Sequence, residues 1–319
     1  MKADSIRFAE ERRSSCEHSP SRQGSGLAMQ AANKEYYSSK GKAIYSDFST
    51  FAQGRALATA NAIEFVRDFP NRSGEITVCE YGVGKGDFAR SFLDEVKRRS
   101  PKLYSRTRYH LFDISEKMLA DAQKGLAAHA ARCEFHEFDA AQELPSLPFD
   151  YCRINELLSD LPAEIYARNG SSVPTSNLFV QKFLSRVDDK RQIPFPFVAE
   201  KFLVALCNCG RRNFRIDVFD YGFYTADDIF SMPREEWNAL VAREYGGQIT
   251  VDLNFLQLSS AIRSEHFGVE VERQKEYAER ALGAKLELCE LDGPLDYVPK
   301  KANDGVEEDD GFYHLRIEA

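Results

Sequence analysis

The residues best placed to do chemistry lie between positions 80 and 113. Glu80-Tyr81-Gly82-Val83-Gly84-Lys85-Gly86-Asp87 sets three alternate glycines between an apolar run and a helical pattern. Glycine there admits positive φ and lets a ligand approach the backbone. The helix that follows offers free N–H groups. The spacing is GxGxG, not the GxGxxG of nicotinamide-binding turns, and no Gly-Lys-Ser/Thr closes a phosphate loop. One acid, Glu80, precedes the glycines. A second, Asp113, ends the next apolar run, where a carboxylate can accept both hydroxyls of a ribose. A tight strand–helix turn without a ligand is the alternative.

These residues need elements to hold them. Ile76 to Glu80 predicts a strand, and Asp87 can cap a helix with Phe88, Phe92, Leu93 and Val96 on one face. Tyr109 to Asp113 predicts the second strand, followed by a Ser115-capped helix bearing Met118, Leu119, Ala122 and Leu126. Cys133 to Asp139, Phe149 to Leu158 and Phe214 to Tyr221 follow as strands, with Phe312 to Ile317 as a final edge strand. The alternation predicts an α/β fold: a doubly wound, mostly parallel sheet with helices on both faces. Pro162 to Phe197 breaks the pattern and reads as an inserted substrate-binding region. The expected organisation is a mobile arm over 1–34 and a helical cap or lid over 35–74. A ligand-binding half covers 75–161, an insert with its helix 162–210, and the second half of the core 211–319, with an acidic turn.

Composition narrows the partners. The 319 residues carry a formal charge of −8, which argues against nucleic acid because phosphate binding needs a basic footprint. A basic peptide or protein substrate stays open. No apolar run approaches the ~20 residues that cross a bilayer, and residues 1–32 are charged and Ser-rich with no secretory core. Membrane association is therefore not expected, and the cytoplasm is the expected location. The oligomeric state is not legible. Seven cysteines with no CxxC spacing read as reduced core thiols. Cys207-Asn208-Cys209 has no nearby His, so no metal is expected.

The glycine turn and its acids resemble the cofactor motif of class I S-adenosylmethionine methyltransferases, with a Rossmann-like sheet. The resemblance implies S-adenosyl-L-methionine as cofactor and S-adenosyl-L-homocysteine as product. Gly82, Gly84 and Gly86 would face it, Glu80 would lie near its methionine amino group, and Asp113 with Ile114 would hold the ribose. Asp139 and Ala140 would lie near the adenine, and Asn155 at the end of the fourth strand. An ordered set of further motifs resembles the MidA-like methyltransferases, relatives of the mitochondrial complex I assembly arginine methyltransferase. These are Ser46-Asp47-Phe48-Ser49-Thr50, His110-Leu111-Phe112-Asp113-Ile114-Ser115, Asn155-Glu156-Leu157-Leu158-Ser159-Asp160-Leu161-Pro162, Asp220-Tyr221-Gly222, Gln248 to Phe255 and Gln274 to Gly283.

On that resemblance Glu156, Asp160, Asp220 and Tyr221 are the candidate catalytic residues. Asp47, Phe48, Thr50, Gln53 and Gln248 are the candidates for substrate contact. Each has a structural alternative: Glu156 as a carboxylate satisfied by backbone N–H groups, Asp220 and Tyr221 as a strand-end turn, the glutamines as surface. Gln53 and Gln248 stand where the family has acids. A guanidinium stays protonated and favours carboxylate partners, whereas a glutamine suits a neutral amide. The expectation is N-methylation of a peptide or protein side chain: an Asn/Gln-type amide, as in peptide natural-product tailoring, or an Arg guanidinium. A small-molecule methyltransferase and a non-catalytic cofactor-binding assembly factor are the alternatives.

Overall fold

Every residue of the strand Ile76–Tyr81 is buried, which places it at the centre of a sheet. In the computed structural model it is β1. The structure describes residues 26–40, 44, 47, 49–69, 74–168, 177–187, 190–290, 294–300 and 311–319. The acidic turn at 303–310, Phe48 and most of the N-terminal arm lie outside them. The other sheet strands are β2 (Thr107–Asp113), β3 (Cys133–Glu137), β4 (Phe149–Asn155), β5 (Gly210–Phe223), β6 (Gly268–Arg273) and β7 (Phe312–Glu318). They run in the order β3-β2-β1-β4-β5-β7-β6. All pairs from β3 to β5 are parallel, while β7 is antiparallel to both neighbours. The carboxyl ends of β1, β2, β3 and β4 therefore share one rim, the place where α/β sheets bind ligands.

Among the described residues seven longer helices form: α1 (Gly26–Lys40), which packs on the strand Gln248–Val251 of a separate hairpin, and α2 (Ala56–Asp68), α3 (Asp87–Arg99), α4 (Glu116–Gly125), α5 (Phe197–Cys209), α6 (Phe255–Ser264) and α7 (Gln274–Leu282), which flank the sheet. One core joins α2, α3, α4 and α7 to Ile76, Val78, Tyr109 and Tyr151. The other joins α5 and α6 to Cys79, Tyr81, Cys152 and Ile154. Alternate residues of β1 thus feed opposite cores, as a strand covered on both faces requires. No helix among the described residues is long and apolar enough to cross a membrane.

Charges are also buried on the first face. Asp217 accepts from Tyr151 Oη (2.8 Å), Asn61 Nδ2 (3.1 Å) and Arg215 Nε (2.9 Å), and its Oδ1 faces His314 Nε2 at 2.9 Å. Arg316 reaches both Glu64 and Asp217. Burial would raise the Asp217 carboxyl, but Arg215, His314 and Arg316 outweigh it and hold the group well below the carboxylate range.

Several expectations shift. Phe312 to Ile317 is no edge strand: β7 lies between β5 and β6. The fourth strand stops at Asn155 because Glu156 takes φ +47°, outside the strand region. Gly86, in the left-handed conformation, occupies the cap position of α3. Asp87 is its first residue and pairs with Lys85 and Arg90. Helix α1 spans both sides of position 34, the expected boundary between arm and cap, and continues to Lys40. The insert carries a hairpin (Glu164–Ala167 with Gln192–Phe195) and a short helix (Leu178–Leu184). Trp237 and Phe223 are buried in that unit's core, with Trp237 Nε1 donating to Gln192 O at 2.6 Å.

Candidate functional site

The glycine turn is shaped from within. Gly82, Gly84 and Gly86 have φ of +75°, +54° and +80°, a region that favours glycine. A Cβ at Gly82 would meet Leu157 at 3.1 Å, and one at Gly86 would meet Ala122 at 3.1 Å. Asp113 secures the turn: Oδ2 accepts from Gly84 N at 2.8 Å, and Oδ1 from Ser115 N at 2.9 Å. Ile114 lies half-buried between them. Burial pushes the Asp113 carboxyl up to about 6 despite these N–H donors. Lys85, in the turn, donates to Gln53 Oε1 at 2.9 Å, so Gln53 faces the glycine loop.

Glu80 is drawn into the core. Its Oε2 pairs with Arg153 and accepts from Tyr109 Oη at 2.7 Å, and the Arg153 guanidinium lies 3.8 Å over the Phe88 ring. At the β3 end, Asp139 Oδ1 accepts from Ala141 N (3.1 Å), and Oδ2 from Gln142 Nε2 (2.8 Å) and Lys34 Nζ (3.2 Å). Ala140 sits half-buried beside it. Gln30, Ala31 and Lys34 of α1 face Ala141 and Gln142 across a cleft of about 570 Å³, a volume suited to a small ligand.

The end of β4 gathers the acids. Glu156 Oε1 accepts from Thr50 Oγ1 (2.9 Å), Phe51 N (2.9 Å) and Asn155 Nδ2 (3.1 Å). No described residue bonds to its Oε2. Burial raises the Glu156 carboxyl to about 7 against those three donors, with Asp160 adding to the rise. A non-glycine residue at positive φ carries strain, a feature that clusters at functional sites. Asp160 accepts from Tyr37 Oη and from Gln248 Nε2 (2.6 Å), and burial pushes it up to about 6. Asp220 is fully buried. It accepts from Leu158 N (3.0 Å), Ser159 N (3.2 Å) and Tyr221 N (2.9 Å), and burial raises it well above its ordinary value. Tyr221 Oη bonds to Thr250 Oγ1, under the Arg243 guanidinium.

The structure thus brings Thr50, Asn155, Glu156, Asp160, Asp220, Tyr221 and Gln248 together. Asp47 is set apart, bonded to Lys40 and Tyr36 of α1 at 2.7 and 2.8 Å. The sequence reading missed α1. Asn33 bonds to Asp160 O and Ile249 O (each 2.7 Å), and Tyr37 bonds to Asp160. The i, i+4 spacing of Asn33 and Tyr37 was the available signal.

The residues present fit an adenosyl cofactor with an amino acid tail. Positive-φ glycines leave the turn open, Asp113 and Asp139 stand at successive strand ends, and Asn155 Oδ1 is a buried acceptor with no partner among the described residues. Such an atom carries a desolvation cost that a ligand ammonium relieves.

Residues 58–223, just over half of the chain, match the family model of S-adenosyl-L-methionine-dependent methyltransferases. A superfamily member from Burkholderia thailandensis, bound to S-adenosyl-homocysteine, is similar over 95% of this chain and 94% of its own, at 14% identity and a TM-score of 0.62. A native crystal structure of a protein of that superfamily from the same organism covers 95% of each chain at 14% identity and a TM-score of 0.60. At such identity the likeness shows the fold. No curated protein sequence matches the chain significantly.

Proposed function

Because the chain belongs to the family of S-adenosyl-L-methionine-dependent methyltransferases, we propose that it methylates an uncharged side-chain nitrogen of a peptide or protein, with Glu156 as the acceptor of that nitrogen's proton. Bound S-adenosyl-L-methionine supplies an electrophilic methyl group on a sulfonium. The protein's share is positioning and proton transfer. Asp113 would hold the ribose, the glycine turn would give backbone access, Asp139 would face the adenine, and Asn155 Oδ1 would accept from the cofactor's ammonium.

The carrying observation is the asymmetry of Glu156. Its Oε1 is fixed by three donors, while Oε2 has no described partner and the carboxyl titrates near 7. A base with its pKa near the working pH is matched to general base catalysis. With the cofactor supplying the methyl group and its sulfonium taking the leaving electron pair, Glu156 Oε2 would receive the proton that the acceptor nitrogen gives up. Asp160, Asp220 and Tyr221 are positioning residues: their polar atoms are spent on Tyr37, Gln248, Thr250 and backbone N–H groups. Among the described residues no cation pairs with Glu156, Asp160 or Asp220. A permanently charged guanidinium would hold Glu156 ionised and leave little for a base to do.

A small-molecule acceptor is the second reading, favoured by α1, which closes over both Asp139 and Asp160. Mass spectrometry of asparagine, glutamine and arginine peptides incubated with enzyme and S-adenosyl-L-methionine tests both. Methylated amide side chains support the proposal. Methyl groups on arginine alone contradict the neutral acceptor. Turnover of small amines with no peptide product favours the second reading.

A further inference from the structure

We propose that His110, Glu134 and His136 form a binding site for a divalent transition-metal ion of the zinc class, on the sheet face at the β2–β3 edge. The register pairs His110 with Glu134 and Phe112 with His136. Residues two apart share a face, so all three side chains project from the same side of the two strands. Their donor atoms lie within 4.8 Å of one another. His110 Nδ1 stands 3.1 Å from His136 Nε2 and 3.6 Å from Glu134 Oε2.

These distances fit coordination. Two metal–nitrogen bonds of about 2.0–2.1 Å, opened to angles between octahedral and tetrahedral, separate their nitrogens by roughly 2.9–3.4 Å. A hydrogen bond between the rings would also explain the 3.1 Å spacing. The register also sets Glu134 beside His110, its Oε2 3.6 Å from the same Nδ1, which adds a third donor to the pair. The rings are held in place: His136 lies against both His110 (centroids 5.3 Å) and Phe112 (4.7 Å), each at 21°. Arg108 Nε grips Glu134 Oε1 at 3.1 Å, which leaves Oε2 for a metal. Two imidazoles and one carboxylate select borderline ions over calcium or magnesium. Three protein ligands leave a further position for water.

The location gives the ion a task. Strand β3 is the sheet edge, and none of its residues is buried. It leads directly into Phe138 and Asp139. A metal bridging His110 on β2 to Glu134 and His136 on β3 would pin this edge.

The test uses the full chain, stripped with a chelator and titrated with Zn²⁺ by calorimetry and Co²⁺ by visible absorption. One equivalent should bind, with a rise in thermal midpoint. Glu134→Gln and His136→Ala should each weaken binding by about 100-fold or more and abolish the rise. His266→Asn, at an exposed histidine outside the cluster, should change neither. Glu134 is a surface residue, so its variant stays folded, which circular dichroism checks. Absence of stoichiometric binding, or equal binding by Glu134→Gln and His136→Ala, overturns the site. Cofactor binding is measured separately, so failure here leaves the methyltransferase reading standing.

Discussion

Two sets of buried acids divide the molecule. On the α2–α7 face, Glu80 and Asp217 are each matched by a guanidinium, Arg153 and Arg215. At the carboxyl end of β4, Glu156, Asp160 and Asp220 sit among hydroxyl, amide and N–H donors, and no described cation pairs with any of them. Burial is common to both sets, and its effect alone is to raise a carboxyl. Charge partners reverse that at Asp217, while Glu156 and Asp160 stay raised, to about 7 and about 6. The first arrangement holds the fold together. The second keeps protons exchangeable near neutrality, which suits chemistry.

The contrast can be broken from either side. Asp217→Asn leaves Arg215 buried without its main partner, and it should cost about 3–5 kcal/mol in urea unfolding, with S-adenosyl-L-methionine affinity of the folded fraction unchanged. Glu156→Gln should do the reverse and stabilise. The Glu156 pKa is raised from its ordinary 4.5 to about 7, so its favourable contribution is complete below 4.5 and lost as pH rises through 7. The variant should match the wild type near pH 4.5 and exceed it by roughly 2 kcal/mol at pH 8, as unfolding midpoints at the two pH values will show. Gly82→Ala forces a side chain into positive φ against Leu157. It should cost about 1–2 kcal/mol and weaken cofactor binding in calorimetry. Lys34→Ala removes a half-exposed pair with Asp139 and should change stability by under about 1 kcal/mol, which melting curves will show.

The sequence made the first set of elements readable because they obey local rules. The Ser115 cap and the apolar stripe of α3 both appear where expected. The glycine turn and Asp113 were legible because strand, turn and helix follow one another directly. Helix α1 was not, since Met29 and Tyr36 enter apolar clusters but the polar Asn33, Lys34 and Tyr37 interrupt the stripe and carry much of its docking. The place of β7, expected at an edge, was hidden because sheet order depends on contacts between distant residues. Asp220 looked catalytic by type and position, but three backbone N–H groups take its oxygens. Glu156 differs only in having an oxygen to spare, a property of geometry that no spacing encodes. The His110–Glu134–His136 group escaped for a related reason, since its members come from two strands joined only by register.

The claim that Glu156 takes the acceptor's proton is tested most directly by the pH dependence of methyl transfer. The wild-type kcat/KM should rise through a pH of about 7 and level off above it. Glu156→Gln should lose about 10²–10⁴-fold in kcat while binding S-adenosyl-L-methionine as tightly as before. A flat profile from pH 5.5 to 8.5, or a Glu156→Gln enzyme as fast as the wild type, would contradict the account.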